Sequence, residues 1–176
     1  MTTQPHSTIG PVASDVDLER TARAYVTMWN ERDVAAIPRL VSETFVMHDP
    51  AAPATGVAGP KGEAHGRAGL EQFVELIHTA FPDFEISVLD MLVGADLAMY
   101  EVRLTMTHDG PLGGLPPTGR PVEIRGVSVL RFEDGLIAEH RFHADVSDVG
   151  EQLGLTFPTI LGQLPKSLVG KARSVL

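Results

Sequence analysis

The spacing of apolar and polar residues divides the chain into a helical first part and a strand-rich second part. A first helix is predicted after Ser14, which can act as its N-cap, with Asp17 three residues later as in a capping box. Its apolar face recurs at helical spacing and consists of Leu18, Ala22, Tyr25, Val26 and Trp29. Asp33 is expected to cap a second, short helix that runs to Leu40, and residues 44–48 predict a short strand.

A third helix is predicted before Pro82, which ends it because proline cannot continue a helix. Its apolar stripe consists of Leu70, Phe73, Val74, Ile77 and Phe81. From residue 84 the apolar period changes to two, which is typical of strands. Residues 84–93 and 97–108 predict one hairpin, and residues 122–132 and 136–145 a second, joined by the Asp134-Gly135 turn. Helices followed by an antiparallel meander indicate an α+β fold, with a curved antiparallel sheet packed by its N-terminal helices.

Clusters of proline and glycine residues indicate the domain and loop boundaries of the chain. We expect residues 1–13 to form a flexible tail, residues 14–155 to form one α+β domain, and residues 156–176 to form a C-terminal extension with leucines at roughly helical intervals. A last helix is expected to begin near Ser147. Two long loops, 49–66 and 109–121, are rich in glycine and proline and are of the kind that often covers a binding site.

Composition narrows the classes of function. The 176 residues are 43% apolar, which is enough for one hydrophobic core. A net charge of −9 opposes binding to nucleic acid. The absence of cysteine excludes disulfides, thiolate nucleophiles and cysteine-ligated zinc. The chain shows neither a signal-peptide pattern nor an apolar run of membrane-spanning length, so we expect a cytoplasmic protein without membrane association.

The segment AEHRFHAD, residues 138–145, concentrates two histidines and two carboxylates. If it is a strand, its side chains alternate between faces, so that His140 and His143 point in opposite directions and cannot share a metal. We therefore predict no metal site. His140 and Phe142 share one face, and Ser128 is placed among apolar neighbours in the preceding strand. A polar pair on an apolar face is typical of a small-molecule pocket, and the alternative is a core histidine bonded to a backbone carbonyl.

Several short motifs together resemble the SnoaL-like polyketide cyclases, also described as ester cyclases, of the nuclear transport factor 2-like superfamily. They are WN (29–30), HDP (48–50), HGRAGLEQF (65–73), AFPDFEI (80–86), GGLPPTGRPVEI (113–124), LRFEDGLIAEH (130–140) and QLG (152–154). The resemblance implies a conical α+β barrel that is usually dimeric, with a pocket between sheet and helices. It also implies a reaction without a cofactor, in which a carboxylate removes a proton next to a carbonyl and the enolate closes a ring by aldol addition.

The same resemblance reveals two departures at the positions implied to be catalytic. The position of the acid–base aspartate is occupied by Phe142, and that of its partner histidine by Ser128. Phenylalanine cannot transfer a proton. A replacement group is therefore needed if the chain is an enzyme.

Four residues are candidates for that role. His48 stands at the start of the first long loop and has a side chain that titrates near neutral pH, and His140 lies two residues from Phe142 on the same predicted face. Asp49 and Asp145 are further candidates, with turn or helix capping as the alternative for each. Ser128 and Phe142 are expected to contact the substrate. The candidate walls, for which core packing is the alternative, are Tyr25, Trp29, Phe45, Met47, Phe73, Tyr100 and Met106.

Three functional hypotheses follow. The first is an enzyme that cyclises or isomerises a small, largely apolar carbonyl compound by cofactor-free acid–base chemistry, as a homodimer and without nucleic-acid or membrane partners. The second is a non-catalytic small-molecule-binding protein or dimeric scaffold of the same fold. The third and weaker hypothesis is an epoxide hydrolase-like activity, which would need Asp49, Asp145 and Arg125 to converge on a water molecule.

Overall fold

The computed structural model describes residues 14–144, 146 and 148–155. The predicted N-terminal tail and the C-terminal extension lie outside the described residues, as do Asp145 and Ser147. Among the described residues, no helix is long and apolar enough to cross a membrane.

The helices largely follow the apolar periodicity. Helix α1 spans Asp15–Glu31, a 3₁₀ turn spans Val34–Ala36, and the further helices are α2 (Ile37–Leu40), α3 (Gly66–Ala80) and α4 (Val149–Gln152). Ser14 caps α1 as predicted, since its hydroxyl oxygen accepts a hydrogen bond from the backbone N–H of Asp17 at 3.3 Å. The predicted cap at Asp33 is wrong. Its side chain makes no capping bond, and the first turn after it is 3₁₀ rather than α-helical.

Six strands form one sheet in the order β2-β1-β6-β5-β4-β3. Their bounds are β1 (Val41–His48), β2 (Glu63–His65), β3 (Glu85–Val93), β4 (Leu97–Thr107), β5 (Pro121–Glu133) and β6 (Leu136–Ala144). Both predicted hairpins are confirmed. Asp134 and Gly135 both have positive φ, 49° and 78°, as a two-residue turn between twisted strands requires.

The sheet differs from the predicted antiparallel meander at one edge. Strand β1 pairs in parallel with β6, so the sheet is curved, open and mixed. The predicted loop 49–66 also contains β2, which pairs with the end of β1. These pairings join segments far apart in the sequence, so the local apolar pattern does not reveal them.

Helices α1 and α3 cover one face of the sheet and form the core with it. Asn30, at the end of α1, ties this helix to β3, because its side chain donates to the carbonyl of Ile86 at 3.0 Å and accepts from its N–H at 2.8 Å. The helices are therefore held over the sheet at a fixed position, and a cavity is left between the two layers.

Candidate functional site

A cavity of about 570 Å³ lies between the helices and the sheet. This volume is typical of a small-molecule site. Most of its lining is apolar and aromatic, and strands β4, β5 and β6 contribute one wall. The polar side chains in the lining are few, and they are Tyr25, Asp49, Thr55, Tyr100, Ser128 and His140.

His140 is buried at the centre of a hydrogen-bonded chain. Its Nδ1 lies 3.2 Å from the hydroxyl of Tyr25, and its Nε2 lies 3.0 Å from the hydroxyl of Ser128. Burial lowers the pKa of His140 to about 3, and the nearby His143 and His48 act in the same direction. The imidazole is therefore neutral at physiological pH, with one nitrogen that donates and one that accepts.

The fold brings these three groups together from distant parts of the chain. Tyr25 comes from α1, where its ring meets that of His140 edge to face at 5.5 Å. Ser128 lies on β5 and pairs directly with Phe142, the second residue after His140 on β6. Both strand residues therefore share the face that the helices cover, as the sequence predicted.

Asp49 is the carboxylate of this cavity. It follows β1 directly and shares a face with Met47, because alternate residues of an extended strand point the same way. Met47 pairs with His140 and His48 with Arg141 in the parallel register, and extension of this register by one residue beyond β1 would set Asp49 level with Phe142. A carboxylate thus stands one strand away from the position where the resemblance implied an aspartate.

The environment of Asp49 opposes its ionisation. Burial raises the pKa of its carboxyl to about 6, although a hydrogen bond from the backbone N–H of Ala51 at 2.8 Å acts in the opposite direction. Of the described residues that line the cavity, Asp49 is the sole acid, and lysine and arginine do not occur. A desolvated carboxylate without a cationic partner is a stronger base than one in water.

Phe142 also lines the cavity, with its ring lying against Gly126 on the neighbouring strand. A Cβ atom at Gly126 would come within 2.6 Å of this ring, so the glycine makes room for it. The position implied to be catalytic therefore presents an apolar surface to the cavity.

His48 is placed on the opposite face of the sheet. Its Nδ1 lies 3.5 Å from a carboxylate oxygen of Glu63, and its Nε2 lies 3.3 Å from one of Glu139. The side chain is 39% exposed and does not line the cavity. Strand alternation could have revealed this placement, because His48 lies between Met47 and Asp49.

Of the predicted wall residues, Phe45 is buried beside Tyr25, with ring centroids 6.5 Å apart, and does not line the cavity. The others that line it are Tyr25, Trp29, Met47, Phe73, Tyr100 and Met106. Sequence reasoning missed Phe81 and Phe84, and also Leu112 of the second loop. It also treated Tyr25 as a wall alone and missed its bond to His140.

The residues named for epoxide hydrolysis do not meet among the described residues. Arg125 is exposed and does not line the cavity, and Asp145 lies outside the description. The described part of the chain also holds no cluster of three or more histidine, cysteine or acidic side chains suited to a metal ion.

Comparison with known proteins links this architecture to one family. A family model described as SnoaL-like polyketide cyclase matches residues 19–153. No curated protein matches the chain significantly. Among solved structures, IdmH, a proposed polyketide cyclase from Streptomyces antibioticus, is 28% identical with a TM-score of 0.66, over 78% of this chain and 98% of its own.

Two other solved structures share the fold at lower identity. TsrD from Streptomyces laurentii is 19% identical with a TM-score of 0.68, over 82% of this chain and 99% of its own. AclR from Streptomyces galilaeus, a proposed hydroxylase, is 24% identical with a TM-score of 0.66, over 81% of this chain and 99% of its own. IdmH and AclR share this fold but are described with different activities, so the fold alone does not identify the reaction.

Proposed function

Because the chain belongs to the SnoaL-like polyketide cyclase family, we propose that it is a cofactor-independent enzyme that cyclises or isomerises a small, largely apolar carbonyl compound, with Asp49 as the general base. The observation that carries this proposal is one partly buried carboxylate, the sole acid of the described lining, in an apolar cavity that also contains neutral hydrogen-bonding groups. We propose that the enzyme is a homodimer, as the resemblance to the family implies.

The first step is removal of a proton from the carbon next to a carbonyl. With a pKa of about 6, the Asp49 carboxylate is mostly ionised at neutral pH and still basic enough to accept a proton in the desolvated site. Breaking the C–H bond leaves an enolate, whose negative oxygen is stabilised by neutral hydroxyl donors held in place before the reaction.

The second step determines the product. In a cyclisation, the enolate carbon attacks a second carbonyl of the same molecule, a C–C bond forms, and the proton held by Asp49 goes to the new alkoxide. In an isomerisation, the proton returns to a different carbon. Both outcomes balance without an oxidant or reductant.

His140 has a positioning role in this proposal. A buried imidazole whose pKa lies near 3 is a weak base at neutral pH. Its two hydrogen bonds hold the hydroxyls of Tyr25 and Ser128 instead. His48 has no part, since it lies on the other face of the sheet.

Proton–deuterium exchange tests the first step without knowledge of the natural substrate. The purified protein is incubated in D₂O with α-tetralone, an apolar aryl ketone with exchangeable α-protons, and deuterium uptake is followed by mass spectrometry. We expect the wild-type protein to accelerate uptake, Asp49→Asn to abolish the acceleration, and Asp49→Glu to retain part of it. Acceleration that survives in Asp49→Asn would disprove the assignment of the base.

A binding protein without turnover is the second candidate, and the observation that favours it is the phenylalanine at the implied catalytic position. The same experiment separates the two candidates. Saturable binding of the ketone with an exchange rate equal to that of buffer would support the binding protein and exclude the enzyme.

A further inference from the structure

The polar side chains of the cavity are gathered at one end of it. His140 bonds to the hydroxyls of Tyr25 and Ser128, and Ser128 pairs with Tyr100 across β5 and β4. Asp49 directly follows β1, whose last residues pair with β6 on either side of His140. The groups that can bond to a carbonyl compound therefore lie together at this level of the sheet.

The other end of the cavity is apolar. Beyond Tyr100 and Ser128, toward the end of β4 and the start of β5, the described strand residues that line the cavity all have apolar side chains. They are Ile86 of β3, Val102, Leu104 and Met106 of β4, and Val122 and Ile124 of β5. Phe81 and Phe84, between α3 and β3, also line the cavity. The remaining polar lining residue, Thr55, is exposed in the loop after β1.

The strand register separates the two ends by a measurable length. The pair of Leu104 and Ile124 lies four residues along the strands from the pair of Tyr100 and Ser128, which is roughly 13 Å at about 3.3 Å per residue. A ligand with its carbonyl among the polar groups can therefore place a long hydrocarbon portion against the apolar end.

Phe142 connects the two ends. It pairs with Ser128 on β5, yet its ring lies against Gly126, which is two residues nearer to the apolar end. A Cβ atom at Gly126 would come within 2.6 Å of this ring. The apolar surface therefore begins directly beside the polar groups, and Phe142 provides its first part.

Helix α4 lies beside the apolar end. The side-chain amide of Gln152 accepts a hydrogen bond from the backbone N–H of Glu123 at 2.8 Å and donates one to its carbonyl at 3.1 Å. Leu153, the next residue, is buried and lines the cavity, as does Leu112 of the second loop. A polar substituent of a ligand would lose its water here without gaining a side-chain partner among the described lining residues, which is costly.

We propose that the apolar end is a hydrocarbon subsite, so that the ligand is a carbonyl compound with its polar groups at one end and an unsubstituted hydrocarbon tail at the other. The tail follows β4 and β5 past Phe142, and Ile124 limits the length that fits. This inference rests on the proposed function, because it names the substrate class of the site in which Asp49 takes the proton. It adds where on the ligand polar substituents are tolerated.

A series of methyl ketones tests the presence of the subsite. Binding of 2-hexanone, 2-octanone and 2-decanone to the wild-type protein is measured by isothermal titration calorimetry. We expect the affinity to rise by about fourfold for each added methylene, as for transfer of a CH₂ group out of water. An affinity that stays level along the series would overturn the proposal.

Two isomers test the separation of polar and apolar ends. 10-Hydroxy-2-decanone carries a hydroxyl at the end of the tail, whereas 1-hydroxy-2-decanone carries it beside the carbonyl. The first should bind about tenfold more weakly than the second, because its buried hydroxyl lacks a partner. Equal affinities, or tighter binding of the first isomer, would contradict the proposed direction of the ligand.

The path of the tail is tested by a larger side chain at Ile124, which is half-buried in the lining. Ile124→Phe should weaken binding of 2-decanone by about tenfold, since the end of its tail loses its apolar contact, and should leave that of 2-hexanone unchanged. Arg125→Phe adds the same ring at the next position, which is exposed and outside the cavity, and should alter neither affinity. Equal weakening of both ketones in Ile124→Phe, or unchanged binding of 2-decanone, would refute this path.

The hydrocarbon subsite and the proposed base can fail separately. If chain length has no effect on binding but deuterium exchange still depends on Asp49, the subsite is refuted and the base remains. If exchange survives in Asp49→Asn while chain length and hydroxyl position still determine affinity, the base is refuted and the subsite remains.

Discussion

The two faces of the sheet at β1 and β6 carry similar side chains in opposite environments. On the inner face, Asp49 and His140 lie among apolar and aromatic neighbours. Burial raises the pKa of Asp49 and lowers that of His140, which favours the neutral form of each side chain. On the outer face, His48 lies between Glu63 and Glu139, with its side chain 39% exposed. A histidine and a carboxylate are thus present on both faces, and the two pairs differ in their exposure to water.

The difference shows that residue type alone does not identify a catalytic group. Partly exposed ion pairs contribute little because water and salt screen them. Burial raises the pKa of the Asp49 carboxyl to about 6, so that it can take up a proton near neutral pH, whereas it lowers the pKa of His140 to about 3 and keeps that ring neutral. One step along β1, from His48 to Asp49, separates the two situations.

The largest expected contrast is between Asp49→Asn and His48→Gln. Removal of a general base lowers a rate by about 100-fold or more, so Asp49→Asn should reduce deuterium exchange of α-tetralone by at least that factor. The matched outer-face variant His48→Gln should stay within about twofold of wild type, a change too small for lost proton transfer. Comparable losses in both variants would show that the two faces are not functionally distinct.

The next contrast concerns stability and uses two histidines of the same strand. His140→Leu leaves the buried hydroxyls of Tyr25 and Ser128 without their partner, which should lower the free energy of unfolding by about 2 kcal/mol. His143 is exposed on the outer face, so His143→Leu should change it by less than about 0.5 kcal/mol. Urea unfolding at pH 7 measures both, and equal losses would contradict the buried network.

The pH dependence of stability should show that His140 is held neutral on the inner face. The folded-state pKa of His140 is lowered from 6.5 to about 3, so its contribution is present above pH 6.5 and is lost as the pH falls toward 3. Between pH 7 and pH 5, His140→Leu should therefore lose roughly 2 kcal/mol less stability than wild type. Parallel stability curves would show that His140 is not held neutral.

Asp49 should act in the opposite sense. Its folded-state pKa is raised from 3.8 to about 6, so its contribution is present below pH 3.8 and is lost as the pH rises through 6. Asp49→Asn should therefore lose more stability than wild type on acidification from pH 7 to pH 5. Unfolding curves at these two pH values check the sign.

The smallest effect is expected from a carboxylate at the position implied by the family. In Phe142→Asp a second negative charge beside Asp49 should raise the pKa of the pair. The exchange rate at pH 6 should then fall about fivefold, as its midpoint moves up by about one pH unit. Phe142→Asn adds polarity without charge and should leave the midpoint in place. An equal shift of the pH midpoint in both variants would show that altered packing, and not the added charge, causes the effect.

The sequence predicted what depends on neighbours along the chain. Period and caps predicted α1 and α3, the Asp134-Gly135 turn predicted the β5–β6 hairpin, and strand alternation placed His140 and Phe142 on one face. These features depend on residues that are close together in the chain, so a single sequence is enough to predict them. The resemblance to the cyclases added the fold, and it implied an aspartate at the position of Phe142.

Features that join distant segments were not predictable in the same way. The parallel pairing of β1 with β6 ends at His48 and Arg141, directly before Asp49 and Phe142, and the bond from Tyr25 to His140 spans 115 residues. Neither is visible in any local pattern. His48 became a candidate because an ordinary histidine titrates near neutral pH. That reasoning did not consider that strand alternation places His48 and Asp49 on opposite faces.

The pH profile of α-proton exchange tests the central claim most directly, because it reports the protonation of the group that takes the proton. With Asp49 as the base, the rate for wild type should rise tenfold per pH unit below about pH 6 and level off above it, and Asp49→Asn should lose this dependence with the activity. A rate that is flat from pH 5 to pH 8, or a midpoint near 6 that persists in Asp49→Asn, would contradict the account.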